Sequence, residues 1–340
     1  MRTWDSPMMR KHIKPFVKKA FDRCGYTVMR SATYLGFQQT ILSLQEKIDR
    51  ASPPTPGAFY DLNGYFIFKG ALSTDNIARL RQAVEQEVAE NRSLRRHPSA
   101  IYAPNEYLSV PDGSGKIIVS NALLDPHSMP ETPGIGRAIR ELLCTGGVAD
   151  LLASLDGEQS YAIYQTILFF VCPNTGAHVD AWGMDTAPPG YAHTLWFPLE
   201  PVSLLNGPLA ILPWPRGALL HPDDIGAVNF AWGPDDKKHS NYFAYNHAFV
   251  RFMETEGARW TVPQLQPGDL VVFTSLTPHA TLPCHGAHPS RMAMQVLVKP
   301  ARRRWSPLRL VMAGTSNDAN DGRLQQVNDR WQITGEIPTG

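Results

Sequence analysis

His178-Val179-Asp180 sets an imidazole and a carboxylate two positions apart, directly after the turn Pro173-Asn174-Thr175-Gly176. In an extended step, alternation turns positions 178 and 180 to one face while Val179 points away, so two metal ligands come from three residues. Taken alone the tripeptide is ambiguous, because an Asp after a turn is often a local cap. A third ligand is offered about a hundred residues later. Pro267-Gly268-Asp269 forms a turn into the apolar run Leu270-Val271-Val272-Phe273, whose far end delivers His279. Two imidazoles and a carboxylate on one face of a metal leave its other positions open. That arrangement is typical of non-haem Fe(II) oxygenases, and zinc hydrolases use similar ligands. What separates the two is a group able to hold an organic co-substrate. Arg291 opens the strand Arg291-Met292-Ala293-Met294-Gln295-Val296-Leu297-Val298 and shares a face with Ala293, Gln295 and Leu297. A guanidinium on so apolar a strand needs an anionic partner, and its planar fork suits the carboxylate of a diacid.

Other side chains compete for these roles. His285 and His288 follow in a Gly/Pro-containing loop and are expected to be exposed. His193, His239 and His247 have no comparable context and read as ordinary polar residues, and Asp185 reads as a loop charge. Trp182, two positions past Asp180, is a candidate for lining the mouth of a pocket.

The elements that must position these groups change character along the chain. Residues 8–23 and 33–49 suit two helices, followed by the linker Ala51-Ser52-Pro53-Pro54-Thr55-Pro56-Gly57. Gly64 to Gly70 reads as a short strand. Ser73 or Thr74 then caps a helix on which Ile77, Leu80, Val84 and Val88 share a face. Residues 135–155 look helical, with a break at Gly146-Gly147. From Tyr161 to about Pro300 the strong segments are short, rich in β-branched and aromatic residues, and divided by turns: Tyr161–Val171, His193–Leu199, Leu209–Leu212, Asp269–Phe273 and Arg291–Val298. This predicts a β sandwich or barrel behind an N-terminal helical layer. Three parts are expected: a basic helical arm with a Pro-rich linker over 1–57, a β domain over 58–300, and a polar tail over 301–340. Within the domain an insertion, 217–266, is rich in aromatics and suits a lid or, equally, a satellite core.

Composition narrows the partners. Of the 340 residues 43% are hydrophobic and 19% charged, enough to bury a substantial core. Lys plus Arg number 32 against 31 Asp plus Glu, a net charge of +1 that supplies no general field for nucleic acid. The charge is polarised, since residues 1–30 carry eight basic and two acidic side chains. That arm suits peripheral contact with a membrane surface or a protein. No stretch approaches the ~20 uncharged apolar residues of a membrane span. The N-terminus lacks an apolar signal core, which favours the cytoplasm. Cys24, Cys144, Cys172 and Cys284 are scattered, indicating neither a disulfide framework nor a thiolate zinc site.

Read as an ordered series, these motifs resemble the phytanoyl-CoA dioxygenase family of Fe(II)/2-oxoglutarate oxygenases across roughly residues 58 to 300. The series runs through Asn63-Gly64-Tyr65-Phe66-Ile67-Phe68-Lys69-Gly70-Ala71-Leu72, Tyr164-Gln165, His178-Val179-Asp180, Thr194-Leu195-Trp196-Phe197-Pro198-Leu199 and Asn206-Gly207-Pro208-Leu209. It continues with Gly268-Asp269-Leu270-Val271-Val272-Phe273, His279-Ala280-Thr281 and Arg291. The resemblance implies an α+β fold with a mainly β core, a double-stranded β-helix (jelly roll) flanked by N-terminal helices. It also implies Fe(II) held by His178, Asp180 and His279, with 2-oxoglutarate and O2 as co-substrates. Arg291 would grip the distal carboxylate, assisted by Thr281 and by Thr194, and Gln165 would face the pocket to meet substrate or co-substrate. In related halogenases a small residue replaces the carboxylate, so Asp180 favours hydroxylation or another hydrogen-abstraction outcome. The chain departs from the family where a Pro-Gly-Ser-His turn usually follows Asn-Gly; here it has Leu212-Pro213-Trp214-Pro215-Arg216-Gly217. That change bears on loop shape and substrate. With no phosphate-cradling Gly-rich loop and no basic stripe, the expected substrate is a small molecule or biosynthetic intermediate, not a CoA thioester. A binding or sensor module that keeps the metal cluster without turnover, and a zinc-dependent hydrolase, are the alternatives.

Overall fold

The computed structural model describes residues 27–29, 55–90, 100–101, 110–111, 117–118, 122–172, 175–181, 184–220, 222, 224–227, 238–256, 258–282, 290–305 and 324–334. The two helices expected over 8–23 and 33–49 lie outside these, as do Trp182, His285 and His288.

The helices are α1 (Pro56–Asn63), α2 (Thr74–Glu90), α3 (Pro133–Cys144), α4 (Val148–Asp156) and α5 (Lys238–Thr255). The strands are β1 (Thr27–Met29), β2 (Tyr65–Phe68), β3 (Ala100–Ile101), β4 (Val110–Pro111), β5 (Ile117–Ile118), β6 (Ala122–Leu124), β7 (Tyr161–Val171), β8 (Thr186–Ala187) and β9 (His193–Pro198). They continue with β10 (Leu209–Ile211), β11 (Ala218–Leu220), β12 (Leu270–Thr274), β13 (His279–Thr281), β14 (Ser290–Pro300), β15 (Arg304–Trp305), β16 (Leu324–Asn328) and β17 (Trp331–Thr334).

Local chemistry sets the helix ends. Thr55 Oγ1 accepts from the Ala58 amide and Pro56 opens α1. The helix stops at Gly64, whose φ of 69° is left-handed and where a Cβ would meet the Trp214 carbonyl at 2.2 Å. Only glycine fits there. Ser73 Oγ accepts from the Asn76 amide at the start of α2, and the expected break between α3 and α4 falls at Gly147 with φ 76°.

Two sheets face each other. The larger runs β16-β17-β7-β14-β9-β12-β2, with β6 also pairing β7. The smaller is built on the antiparallel pair β10–β13 and is widened by isolated bridges between His178 and His279 and between Ile211 and Thr261. From β7 onward the chain passes from the large sheet to residue 178, back to β9, across to β10 and Thr261, back to β12, across to β13, and returns through β14. This alternation between two facing sheets is a double-stranded β-helix, with α1 to α4 preceding it in sequence. Helices α2, α3 and α4 cover the outer face of the large sheet, where Ile77, Leu80, Ile139, Leu142 and Leu152 pack with Leu195, Phe197, Val272, Met294 and Val296.

One segment differs from the sequence expectation. The stretch read as a polar tail carries a hairpin, β16–β17, and β17 pairs in parallel with Tyr161–Ile163 of β7. Trp331 and Ile333 of β17 sink into the main core, while Arg302 and Arg303 both pair with buried Glu158 at 2.6 Å. A four-residue strand with two apolar side chains is too short to register as a pattern in a polar stretch. Trp331 is 1% exposed, so Trp331→Ala is expected to lower the unfolding free energy by about 3–5 kcal/mol in urea denaturation. A loss within experimental error would show the hairpin to be a loosely attached strip.

In the insertion, of the two readings open from the sequence, α5 follows the satellite core. Tyr245, Phe249 and Met253 of α5 pack with Val179, Ala181, Leu212, Trp214 and Leu276. The helix is thus seated beneath the His178–Asp180 segment as part of the core. The unusual Leu212–Gly217 loop docks on α1, with Trp214 N donating to Asn63 O and Arg216 N to Asp61 O.

Candidate metal centre

His178 and His279 meet because their backbones pair. His178 N donates to His279 O and His279 N to His178 O, both at 3.0 Å. In such an antiparallel pair the two side chains emerge on one face, and the ring centroids lie 4.2 Å apart. Asp180 follows on the same side, its amide tied to Ser275 O at 2.9 Å. Its Oδ1 is 3.5 Å from His178 Nε2 and its Oδ2 is 3.7 Å from His279 Nε2. One ligand atom from each of the three residues lies within 4.8 Å of the others.

The tautomers follow from the bonds. His178 Nδ1 sits 2.8 Å from Gly176 O and His279 Nδ1 3.1 Å from Thr277 O. A carbonyl only accepts, so each Nδ1 carries the hydrogen and each Nε2 keeps a lone pair aimed toward Asp180. Burial, reinforced by the neighbouring His178, pushes the His279 imidazole down to about 4 against the opposing pull of Asp180. His279 is therefore neutral and able to ligate near pH 7. Two neutral nitrogens and a carboxylate on one face form a donor set that suits a divalent cation.

The triad opens into a cavity of about 220 Å³. Gln165, Ile167 and Phe169 line it from β7, Trp196 from β9, Leu209 from β10, and Ala280 and Thr281 from β13. Arg291 and Gln295 reach it from β14, and Thr175 and Met184 from the loops. Alternation on β14 places Arg291 and Gln295 on the inner face as expected. Arg291 is 1% exposed, donates through Nη1 to Gly207 O at 2.7 Å, and lies over the rings of Trp196 (5.3 Å) and Phe169 (5.9 Å). It is the one cationic side chain lining the cavity among the described residues.

The sequence-derived candidates thus fall into three groups. His178, Asp180, His279, Arg291, Thr281 and Gln165 come together in one cavity. Thr194 is fully buried beside them but donates its hydroxyl to Asp180 Oδ2 at 3.3 Å. It faces the carboxylate and does not line the cavity, because its inward position on β9 lies directly behind residue 180. Trp182 lies outside the described residues. Asp185, read as a loop charge, is buried instead and accepts from the amides of Thr186 and Gly190. His193 points to the opposite face of β9, its Nε2 2.8 Å from Asp156 Oδ2 and its Nδ1 2.7 Å from the Tyr60 hydroxyl. The sequence reading did not single out Trp196, Met184, Ile167 or Phe169, among others, as lining residues. Trp196 was within reach of alternation from Thr194, and Ile167 and Phe169 from Gln165, whereas Met184 lies in a turn with no pattern.

Comparison with solved structures finds EctD from S. alaskensis with 2-oxoglutarate and 5-hydroxyectoine, at 16% identity and a TM-score of 0.46 over 74% of this chain and 79% of that one. The epimerase SnoN in complex with Fe3+, alpha ketoglutarate and nogalamycin RO matches at 16% identity and 0.49 over 86% and 98%. The carbocyclase SnoK from nogalamycin biosynthesis matches at 17% and 0.49 over 78% and 94%. A comparison with curated protein sequences gives no match. The family model for phytanoyl-CoA dioxygenase (PhyH) matches residues 60–293, from the last turn of α1 to the first residues of β14. That span is well over half of the chain and takes in the metal triad, Gln165 and Arg291. By that match, this chain belongs to the phytanoyl-CoA dioxygenase family.

Proposed function

We propose that the protein is an Fe(II)- and 2-oxoglutarate-dependent dioxygenase that hydroxylates a small molecule or biosynthetic intermediate, with release of succinate and CO2. The observation that carries this reading is the single cavity holding both the His178, Asp180, His279 donor set and the buried guanidinium of Arg291. Metal-assisted hydrolysis does not by itself require a buried anchor for a five-carbon diacid.

In this reading His178 and His279 present Nε2 to the iron, and their Nδ1 hydrogens stay on Gly176 O and Thr277 O so that neither ring can turn away. Asp180 supplies the negative charge, and the Thr194 hydroxyl fixes its free oxygen. Arg291 receives the far carboxylate of the diacid, with the Thr281 hydroxyl on the same wall. When bound, the iron and 2-oxoglutarate would supply the oxygen-activating chemistry that removes a hydrogen from an unactivated C–H bond. Gln165 and Gln295 provide uncharged hydrogen-bonding groups for the substrate, and Ile167 and Met184 provide apolar walls that exclude water.

The test is anaerobic purification with Fe(II), followed by addition of 2-oxoglutarate and O2 with succinate measured over time. Succinate formation, even uncoupled from substrate, is the expected result. An intact fold that binds iron yet releases none would reassign the protein as a binding module, and hydrolytic activity with zinc alone would reassign it as a hydrolase.

A further inference from the structure

The helix α5 lies in the insertion 217–266, and among the described residues Asn246 links it to the metal segment by a hydrogen bond. Each of the three amides of His178-Val179-Asp180 is bonded. The first donates to His279 O and the third to Ser275 O, both backbone carbonyls. The middle one, Val179 N, donates to the side-chain oxygen of Asn246 at 3.1 Å. Asn246 is buried beside an apolar cluster in which Tyr245, Ala248 and Phe249 of the same helix pack with Val179 and Ala181, and its Nδ2 has no hydrogen-bond partner among the described residues. A carboxamide in such surroundings costs stability unless its bond secures something. What it secures is the peptide between two of the three ligand residues.

We infer that Asn246 is a positioning residue: it fixes the backbone of the His178–Asp180 step, so that the insertion sets how well His178 and Asp180 converge on one ion. The inference rests on the metal-binding reading above and names what holds the ligands in that geometry. Without the Asn246 oxygen, Val179 N is left buried and unbonded, and the peptide is held on its carbonyl side alone, where His178 O accepts from His279 N. Rotation of that peptide swings the 178 and 180 side chains apart, because they share a face only while the step stays extended. The carbonyl of that same peptide, His178 O, accepts from His279 N at 3.0 Å, so the rotation also strains the pairing that brings His279 to the site. The distortion falls first on His178 and Asp180.

The experiment titrates the full-length apoprotein anaerobically with Co(II), reading affinity and the visible ligand-field spectrum alongside the thermal midpoint. Asn246→Leu, nearly isosteric but without an acceptor, is expected to weaken Co(II) binding about tenfold or more and to alter the spectrum, as loss of a hydrogen bond that orients metal ligands does. Asn246→Asp keeps an oxygen acceptor at the same reach and is expected to bind at least as tightly as the wild type. Tyr245→Phe removes the hydroxyl that α5 donates to Leu220 O. It loosens the same helix while leaving the ring packing and the bond from Val179 N to Asn246 in place, and is expected to leave Co(II) affinity unchanged. Should Asn246→Leu fail to fold, Asn246→Ser, polar but too short to reach Val179 N, is expected to show the same loss. Wild-type affinity and spectrum in a folded Leu or Ser variant would overturn the inference, as would a failure of Asn246→Asp to restore binding or an equal loss in Tyr245→Phe. If the wild-type protein itself takes up no Co(II) or Fe(II), the metal-binding reading fails, an outcome distinct from each of these.

Discussion

Asp180→Ala is expected to abolish stable Fe(II) binding and, with it, succinate formation, while leaving the protein folded. Asp180 is the single anionic group of the triad, so its removal leaves two neutral imidazoles to hold a dication in a cavity that already contains the positive charge of Arg291. Repulsion from that guanidinium is then no longer offset nearby. Changing groups that merely orient ligands costs 10–100-fold in metal affinity, so removing the charged ligand itself should cost roughly 100-fold or more. The fold should persist because the Asp180 amide, which bonds Ser275 O, is retained. The side chain's own partner, the Thr194 hydroxyl, loses one neutral-to-charged hydrogen bond, a loss of about 1.5–3 kcal/mol at most. His178→Ala should behave alike in binding. Calorimetric titration with Fe(II) under nitrogen, paired with a thermal melt, decides the matter; wild-type affinity in Asp180→Ala would remove the triad assignment.

The second large effect concerns the co-substrate. Arg291→Ala is expected to raise the 2-oxoglutarate KM by about 10–100-fold with a much smaller change in kcat at saturation, since a hydrogen bond to a charged group contributes about 1.5–3 kcal/mol and each 1.4 kcal/mol is a factor of ten. In the proposed reading the guanidinium would meet a part of the diacid remote from the reacting carbon, so its contribution would be to binding in ground and transition states alike. The cushions of Trp196 and Phe169 at 5.3 and 5.9 Å hold the guanidinium plane in a dry setting where a bidentate contact is strongest. Arg291→Lys keeps the charge and loses the fork, and should fall between wild type and alanine. Steady-state succinate kinetics over a range of 2-oxoglutarate concentrations provide the measurement. An unchanged KM in the alanine variant would transfer the anchoring role elsewhere.

The residues that the structure gathers in one cavity were legible as candidates because each sits where a short-range rule applies. Alternation puts His178 with Asp180 and Arg291 with Gln295, and a turn followed by an apolar run delivers His279. Rules of this kind depend only on the local period of the backbone, so they survive without tertiary information. The β-rich centre, the strand Tyr65–Phe68, the helix beginning at Ser73–Thr74 and the glycine break between α3 and α4 were readable on the same grounds. The resemblance to the family added the order of motifs and hence the jelly roll.

What the sequence could not supply are relations set by the sum of many weak contacts between distant segments. That His178 and His279 face each other is fixed by two backbone hydrogen bonds across about a hundred residues of chain, which no local period encodes. The hairpin β16–β17 was invisible because two apolar side chains in a polar stretch become a strand only when β7 offers a free edge. Thr194 turned out to hold Asp180, and Asn246 to hold Val179; both roles depend on which side chain lies behind which backbone. Residue types and local spacing determined which groups of this protein could be singled out as candidate ligands and anchors. Tertiary packing alone decided which neighbours hold them still, because hydrogen-bond partners far apart in sequence are chosen by how whole sheets and helices dock.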